Sequence, residues 1–229
     1  MSPTSNEMDW HRNFQDDDYL RLSLQRLEDD SPLLYWCTQF ADIIREQFKG
    51  SAEPLFIQDI GCNVGHFCRV LPQLQHEVTY RGYDISTTYL DLARKLHPKH
   101  SFSLLDIATE LPQQNADVTV ISATLEHIED WGTALENILK TTGNLVLLRS
   151  FYGMQPASDM YKKAQATHPY LIRQFTFEQV AAAAQSKGFS TRFYRDRATD
   201  SIPQYLGCGV TRTQYIAVLK KSGKCIPST

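Results

Sequence analysis

Apolar and polar positions in this chain alternate between two periods. Leu20, Ser23, Leu24 and Leu27 fall on one helical face. Ser31-Pro32 predicts the start of a second helix, with Ser as N-cap and Pro in the first helical position. Leu33, Trp36, Cys37, Phe40, Ala41 and Ile44 continue it at helical spacing. Two amphipathic helices are therefore expected before any strand. An apolar run over 55–60, ending at Gly61, predicts a buried strand, and further strands are predicted over 78–83, 101–105, 117–122 and 144–149. Helical faces separate them: Val64, Phe67, Cys68 and Leu71, stopping near Pro72; Tyr89, Leu92, Ala93 and Leu96 after Ser86; and Trp131, Ala134, Leu135, Ile138 and Leu139. The stretch 151–170 is irregular, with a short helix expected over 158–166, and an excursion of that length in a compact domain suits a lid. Thr176 and Gln179 have the spacing of a capping box opening a helix that ends at Gly188, and two closing strands follow over 189–194 and 214–220. Strands alternating with helices specify an α/β fold with a largely parallel sheet.

Composition narrows this picture. With 42% hydrophobic and 21% charged residues, the chain is neither disordered nor fibrous. No apolar run reaches the roughly 18 residues of a membrane span, and the polar, acidic first nine residues lack the basic-then-apolar pattern of a leader. At 229 residues the chain is read as one domain: a helical extension over 1–50, a ligand-binding core over 51–150, a lid over 151–175 and a closing helix and strands over 176–229. Cys37, Cys62, Cys68, Cys208 and Cys225 include no C-x-x-C pair, so neither a metal site nor a disulfide framework is expected, and a reduced cytoplasmic setting is the plain reading. The net charge of −3 hides an asymmetry: residues 1–115 carry 10 basic against 17 acidic residues, and 116–229 carry 13 against 9. The overall acidity counts against non-specific nucleic-acid binding, while the basic second half leaves room for an anionic small molecule.

The candidate chemistry lies where strands end. Asp59-Ile60-Gly61-Cys62-Asn63-Val64-Gly65 joins the first strand to its helix, and Gly there lets a ligand approach the main chain. In an open parallel sheet the ligand crevice lies beyond the carboxyl ends of the strands. Asp84 ends the second strand, where a carboxylate can accept from both ribose hydroxyls of an adenosine. Asp106 follows the third, within reach of an adenine amino group. A dinucleotide fingerprint needs Gly-x-Gly-x-x-Gly, and this loop has Gly61, Asn63 and His66 at those places. No Gly-Lys-Ser/Thr triplet marks a P-loop either. S-adenosylmethionine, which carries no phosphate, tolerates both departures.

The loop, Asp84, Asp106 and the Glu126-His127 segment together resemble the motifs of class I S-adenosylmethionine-dependent methyltransferases, over roughly residues 55–150. The resemblance implies a Rossmann-like, seven-stranded, mostly parallel sheet, its last strand antiparallel, with helices on both faces. It implies cofactor contacts from Asp59, Gly61, Cys62, Asn63, Gly65, Asp84, Ile85, Asp106, Ile107, Ala123 and Thr124. Asn63 departs from the Gly of most members, and Gly-Cys-Asn-Val-Gly-His is similar to the loop of methylphosphate-capping enzymes of small RNAs and of some bacterial small-molecule and glycan-modifying members. Methyl transfer to oxygen of a small molecule or sugar is the expected activity. Methylation of an RNA end or terminal phosphate and a non-catalytic binding protein of the same fold are the alternatives. His127 and His168 are candidate general bases. Trp10, Tyr19, Tyr35 and Trp36 are candidate pocket aromatics, and Arg149, Arg173, Arg192, Arg195 and Arg197 candidate anion contacts.

Overall fold

The computed structural model describes residues 17–28, 30–162 and 169–223. Two helices, α1 (Asp17–Gln25) and α2 (Tyr35–Gln47), precede β1 (Leu55–Ile60). α2 starts later than the Ser31-Pro32 signal predicts. Ser31 instead donates its hydroxyl to the carbonyl of Gln25, closing the end of α1, and Leu34 occupies the N-cap in extended conformation. After β1 comes a 3-10 segment, His66–Leu74, then β2 (Val78–Asp84), α3 (Thr87–Leu96), β3 (Ser101–Leu104), β4 (Ala116–Ser122), α4 (Trp131–Lys140) and β5 (Thr142–Gly153). The expected stop at Pro72 is not observed; that residue lies inside the 3-10 segment, which runs two residues further.

The parallel strands form where the sequence is apolar on both faces, as burial under helices on two sides requires. The sheet order is β3-β2-β1-β4-β5-β11-β8, with β8 (Phe189–Arg195) and β11 (Gln214–Lys221) closing it. β11 is antiparallel to both β5 and β8. Successive residues of one strand serve opposite cores. Leu145, Leu147, Ile216 and Val218 pack with Phe40 and Ile44 of α2 and with Phe67 and Val70. Val146, Leu148, Ala217 and Leu219 pack on the other side with Leu135 and Ile138 of α4 and with Val180 and Ala184 of α5 (Phe177–Ser186). The capping box forms as the sequence predicts, with Thr176 and Gln179 each bonding the other's backbone N–H.

The stretch after β5 departs from expectation. Its described part is a hairpin, not a helix: β6 (Ala157–Tyr161) runs antiparallel to β7 (Tyr170–Thr176), and β7 pairs in parallel with the end of β5 through Tyr152↔Phe175. Residues 163–166 of the expected helix lie outside the described residues. The short pair β9 (Gln204–Tyr205) and β10 (Thr211–Arg212) precedes β11. Among the described residues no helix is long and apolar enough to cross a membrane.

Candidate active site

One cleft of about 600 Å³ opens at the carboxyl ends of β1 to β5. Asp59, Gly61, Cys62, Asn63, Asp84, Ile85, Asp106, Ile107, Ala123, Thr124 and His127 all line it. Gly65 does not: at φ +85°, a Cβ there would come within 2.6 Å of the His97 ring, so it turns the chain away behind the loop. His168 and Trp10 lie outside the described residues, as does the side chain of Tyr19.

The loop after β1 is pinned to β2 at three places. Gly61 and Cys62 both donate their N–H to the Tyr83 carbonyl, at 2.8 and 2.9 Å, and Asn63 N–H donates to Asp84 Oδ2 at 2.9 Å. Asn63 has φ +53°, and its Oδ1 accepts from the next residue's N–H. Asn tolerates this left-handed conformation better than most side chains, which accounts physically for Asn in a place that otherwise favours Gly. Asp84 Oδ1 accepts from Ser86 N–H. Burial pushes its carboxyl above the ordinary range, opposed by these backbone hydrogen bonds. An ionised carboxylate has about four acceptor sites, so each oxygen of Asp84 keeps room for a further donor.

Asp59 is buried, and the Tyr80 hydroxyl donates to its Oδ2 at 2.8 Å. Burial raises its carboxyl to about 7; the Tyr80 bond works against that and the Asp84 charge adds to it. Asp106 is exposed in the turn after β3, where its Oδ1 holds the N–H of Ala108. The apolar side chains beside the acids, Ile85, Leu105 and Ile107, give that half of the cleft an apolar wall. At the end of β4, Ala123 is also left-handed, at φ +53°, with its N–H on the Arg149 carbonyl. Such a conformation costs an alanine about 1–2 kcal/mol, and strain of this kind gathers where a cleft must hold a set shape.

His127 is nearly buried in a short 3-10 turn, Leu125–His127. Its Nδ1 donates to the Leu171 carbonyl of β7 at 2.8 Å, and its ring meets Tyr170 edge-on. A carbonyl only accepts, so this bond places a proton on Nδ1. The preceding Glu126 is fully buried and accepts from the Ser150 hydroxyl, so it holds the turn to β5. His66 also lines the cleft but binds the Ser23 carbonyl through Nε2, and burial lowers its pKa to about 4.

Several expected substrate contacts are absent. No described residue of 151–175 lines the cleft; the walls come from α1, from 32–36 and from the closing segment around Thr199 and Arg212. Tyr35 and Trp36 do line it. Arg173 spends its guanidinium on the Ile128 and Glu129 carbonyls. Arg195 and Arg197 do not share a face, because β8 ends at Arg195: one pairs with Asp200 and the other with Asp42. Of the five arginines named from sequence, only Arg149 reaches the cleft. Arg26, Thr199, Arg212 and Gln214 line it without having been anticipated. An antiparallel last strand implies that its first residue, Gln214, stands at the cleft end, and that is the signal available in the sequence. Among the described residues no cluster of His, Cys, Asp and Glu has the makings of a metal site.

The comparisons with known proteins agree with this geometry. A family model described as a methyltransferase domain matches residues 58–144. No curated protein sequence matches the chain. Among solved structures, magnesium protoporphyrin IX methyltransferase from Synechocystis PCC 6803, with bound S-adenosylhomocysteine, is similar with a TM-score of 0.61 at 16% identity. That match covers 92% of this chain and 97% of the other. A SAM-bound amino pentose methyltransferase from Micromonospora echinaspora, involved in calicheamicin biosynthesis, matches with a TM-score of 0.63 at 14% identity, covering 89% and 97%. The CMeT domain of the citrinin polyketide synthase matches with a TM-score of 0.61 at 15% identity, covering 90% of this chain and 57% of that one. The fold is that of the class I S-adenosylmethionine-dependent methyltransferases. The methyltransferase-domain match lies within that fold's β1–β5 portion.

Proposed function

We propose that this protein transfers a methyl group from S-adenosylmethionine to oxygen on a small molecule or sugar. The observation that carries the reading is the convergence of Asp59, Asp84 and Asp106, from three successive strands, on one cleft beside the pinned Gly61–Asn63 turn. The donor and acceptor set fits the cofactor. Asp84 has acceptor sites to spare for two ribose hydroxyls, and Ile85, Leu105 and Ile107 offer an apolar wall to an adenine beside Asp106. Asp59, titrating near 7, shifts to its carboxylate form beside an ammonium.

When bound, S-adenosylmethionine supplies a methyl group already activated on a sulfonium. The protein's part is to hold the reactants in line and exclude water. Ala123 and Thr124, just after β4, line the cleft and would hold the sulfonium end of the bound cofactor. His127 takes the acceptor hydroxyl's proton on Nε2, with its ring oriented by the Leu171 carbonyl. The relatives that act on a protoporphyrin and an amino pentose, as their names state, support a small-molecule acceptor.

Calorimetric titration with S-adenosylmethionine and S-adenosylhomocysteine tests the reading. Both should bind, and Asp84→Asn should weaken each by roughly 10- to 100-fold through loss of charge-assisted hydrogen bonds. Absence of binding by the intact protein overturns it.

A further inference from the structure

Six Asp and Arg side chains line the cleft among the described residues, and the five on or beside strands divide by sign across β4. Asp59 near the end of β1, Asp84 at the end of β2 and Asp106 just after β3 lie on one side of β4. Arg149 of β5, Arg212 of β10 and Gln214, the first residue of β11, lie on the other side, where Gln214 stands opposite Phe151.

The basic side holds donors with nothing to donate to. Arg149 is buried and fully engaged: it forms a two-pronged pair with Asp196 at 2.7 and 3.1 Å and donates to Gln214 Oε1 at 2.7 Å. That last bond fixes which way the Gln214 amide faces, because only its oxygen can accept. Gln214 Nε2 is therefore directed away from Arg149, and it is buried without a hydrogen-bond partner. Arg212 Nε is likewise buried without a partner. The Arg212 guanidinium stacks 5.5 Å over the Phe151 ring and forms no ion pair among the described residues. A buried N–H donor left unsatisfied is costly, and donors of this kind are rare unless a ligand completes them. One of the two belongs to a cation, which selects a negatively charged oxygen over a neutral one.

We propose that the methyl acceptor carries an oxyanion, a carboxylate or phosphate group, seated on Arg212 and Gln214. The proposal rests on the methyl-transfer reading and names its substrate class. Sheet order gives the consequence. An acceptor anchored at β11 extends across β5 toward β4, where Ala123, Thr124 and His127 lie between the two halves. The anion thus serves as a handle that sets which of the acceptor's hydroxyls comes beneath the His127 ring. Arg26, in the turn just after α1, also lines the cleft and adds positive charge to the same enclosure.

The test uses the full chain saturated with S-adenosylhomocysteine. Benzoate and phenyl phosphate are titrated against their neutral counterparts benzamide and benzyl alcohol, by calorimetry or amide chemical shifts. At least one anion should bind about tenfold tighter than its neutral partner, and the stronger of the two identifies the group as carboxylate or phosphate. Arg212→Met should abolish that preference while leaving S-adenosylhomocysteine affinity and the melting temperature unchanged, and Arg212→Lys should restore part of it. Equal binding of neutral and anionic probes, no saturable anion binding, or a preference that survives Arg212→Met overturns the proposal. Failure of S-adenosylhomocysteine to bind the intact protein is a separate result, and it removes the methyl-transfer reading beneath it.

Discussion

Asp59 is a carboxyl group whose folded surroundings resist its charge. In an unfolded chain it titrates near 3.9; in the fold, burial holds it to about 7. Between roughly pH 4 and pH 7 the folded protein therefore keeps a proton that the unfolded chain has released. The unfolded state binds fewer protons in that window, so this group's contribution to stability falls as pH rises through it, and levels off above the folded pKa. The gap between the two titrations bounds the loss at about 4 kcal/mol. Asp59→Asn keeps an acceptor for the Tyr80 hydroxyl and removes the charge. It should melt higher than the natural chain at pH 8, with the difference shrinking toward pH 4 in a thermal-melt series. A constant difference across that range would assign the effect to packing instead. The same residue-scale logic explains Asn63, whose side chain caps its own turn at a left-handed φ.

Elements were legible where short-range chemistry decides them. The parallel strands announce themselves as apolar runs because both faces are covered, and α5 does so through its capping box. Thr176→Ala should cost about 1 kcal/mol and lower the melting temperature by roughly 2–4 °C; no change would show that the cap is redundant with the packing of Val180 and Ala184. Elements were illegible where a distant partner decides. β6 is exposed along most of its length and alternates weakly, so only its pairing with β7 reveals a strand. Ser31 satisfied every local rule for an N-cap, yet its hydroxyl was taken by the Gln25 carbonyl. The site divides in the same way. Its acids could be read because each lies within two residues of a strand's carboxyl end. Gln214 was signalled only through the antiparallel last strand it opens, and Arg212 not at all, because β9 and β10 find their place through contacts distant in sequence.

At the scale of the whole molecule, the insertion after β5 serves as a brace. β7 supplies the Leu171 carbonyl that orients His127 and the Arg173 guanidinium that binds the carbonyls just beyond it. If His127 acts as the base, His127→Ala should lower kcat on an accepted substrate by about 10²–10⁴ while leaving S-adenosylhomocysteine affinity unchanged. A kcat within a few-fold of the natural chain would return His127 to a structural role. The brace is mounted on β5, which pairs with β4 only as far as Arg149 but runs on to Gly153, where it takes β7 alongside. In mechanical terms β5 is a half-supported beam: beyond Arg149 it loses β4 but keeps β11 as far as Phe151, and it carries the hairpin along the edge that β4 has left. A load on the hairpin reaches the imidazole through Leu171, whereas the loop beyond β1 is fastened separately, to Tyr83 and Asp84.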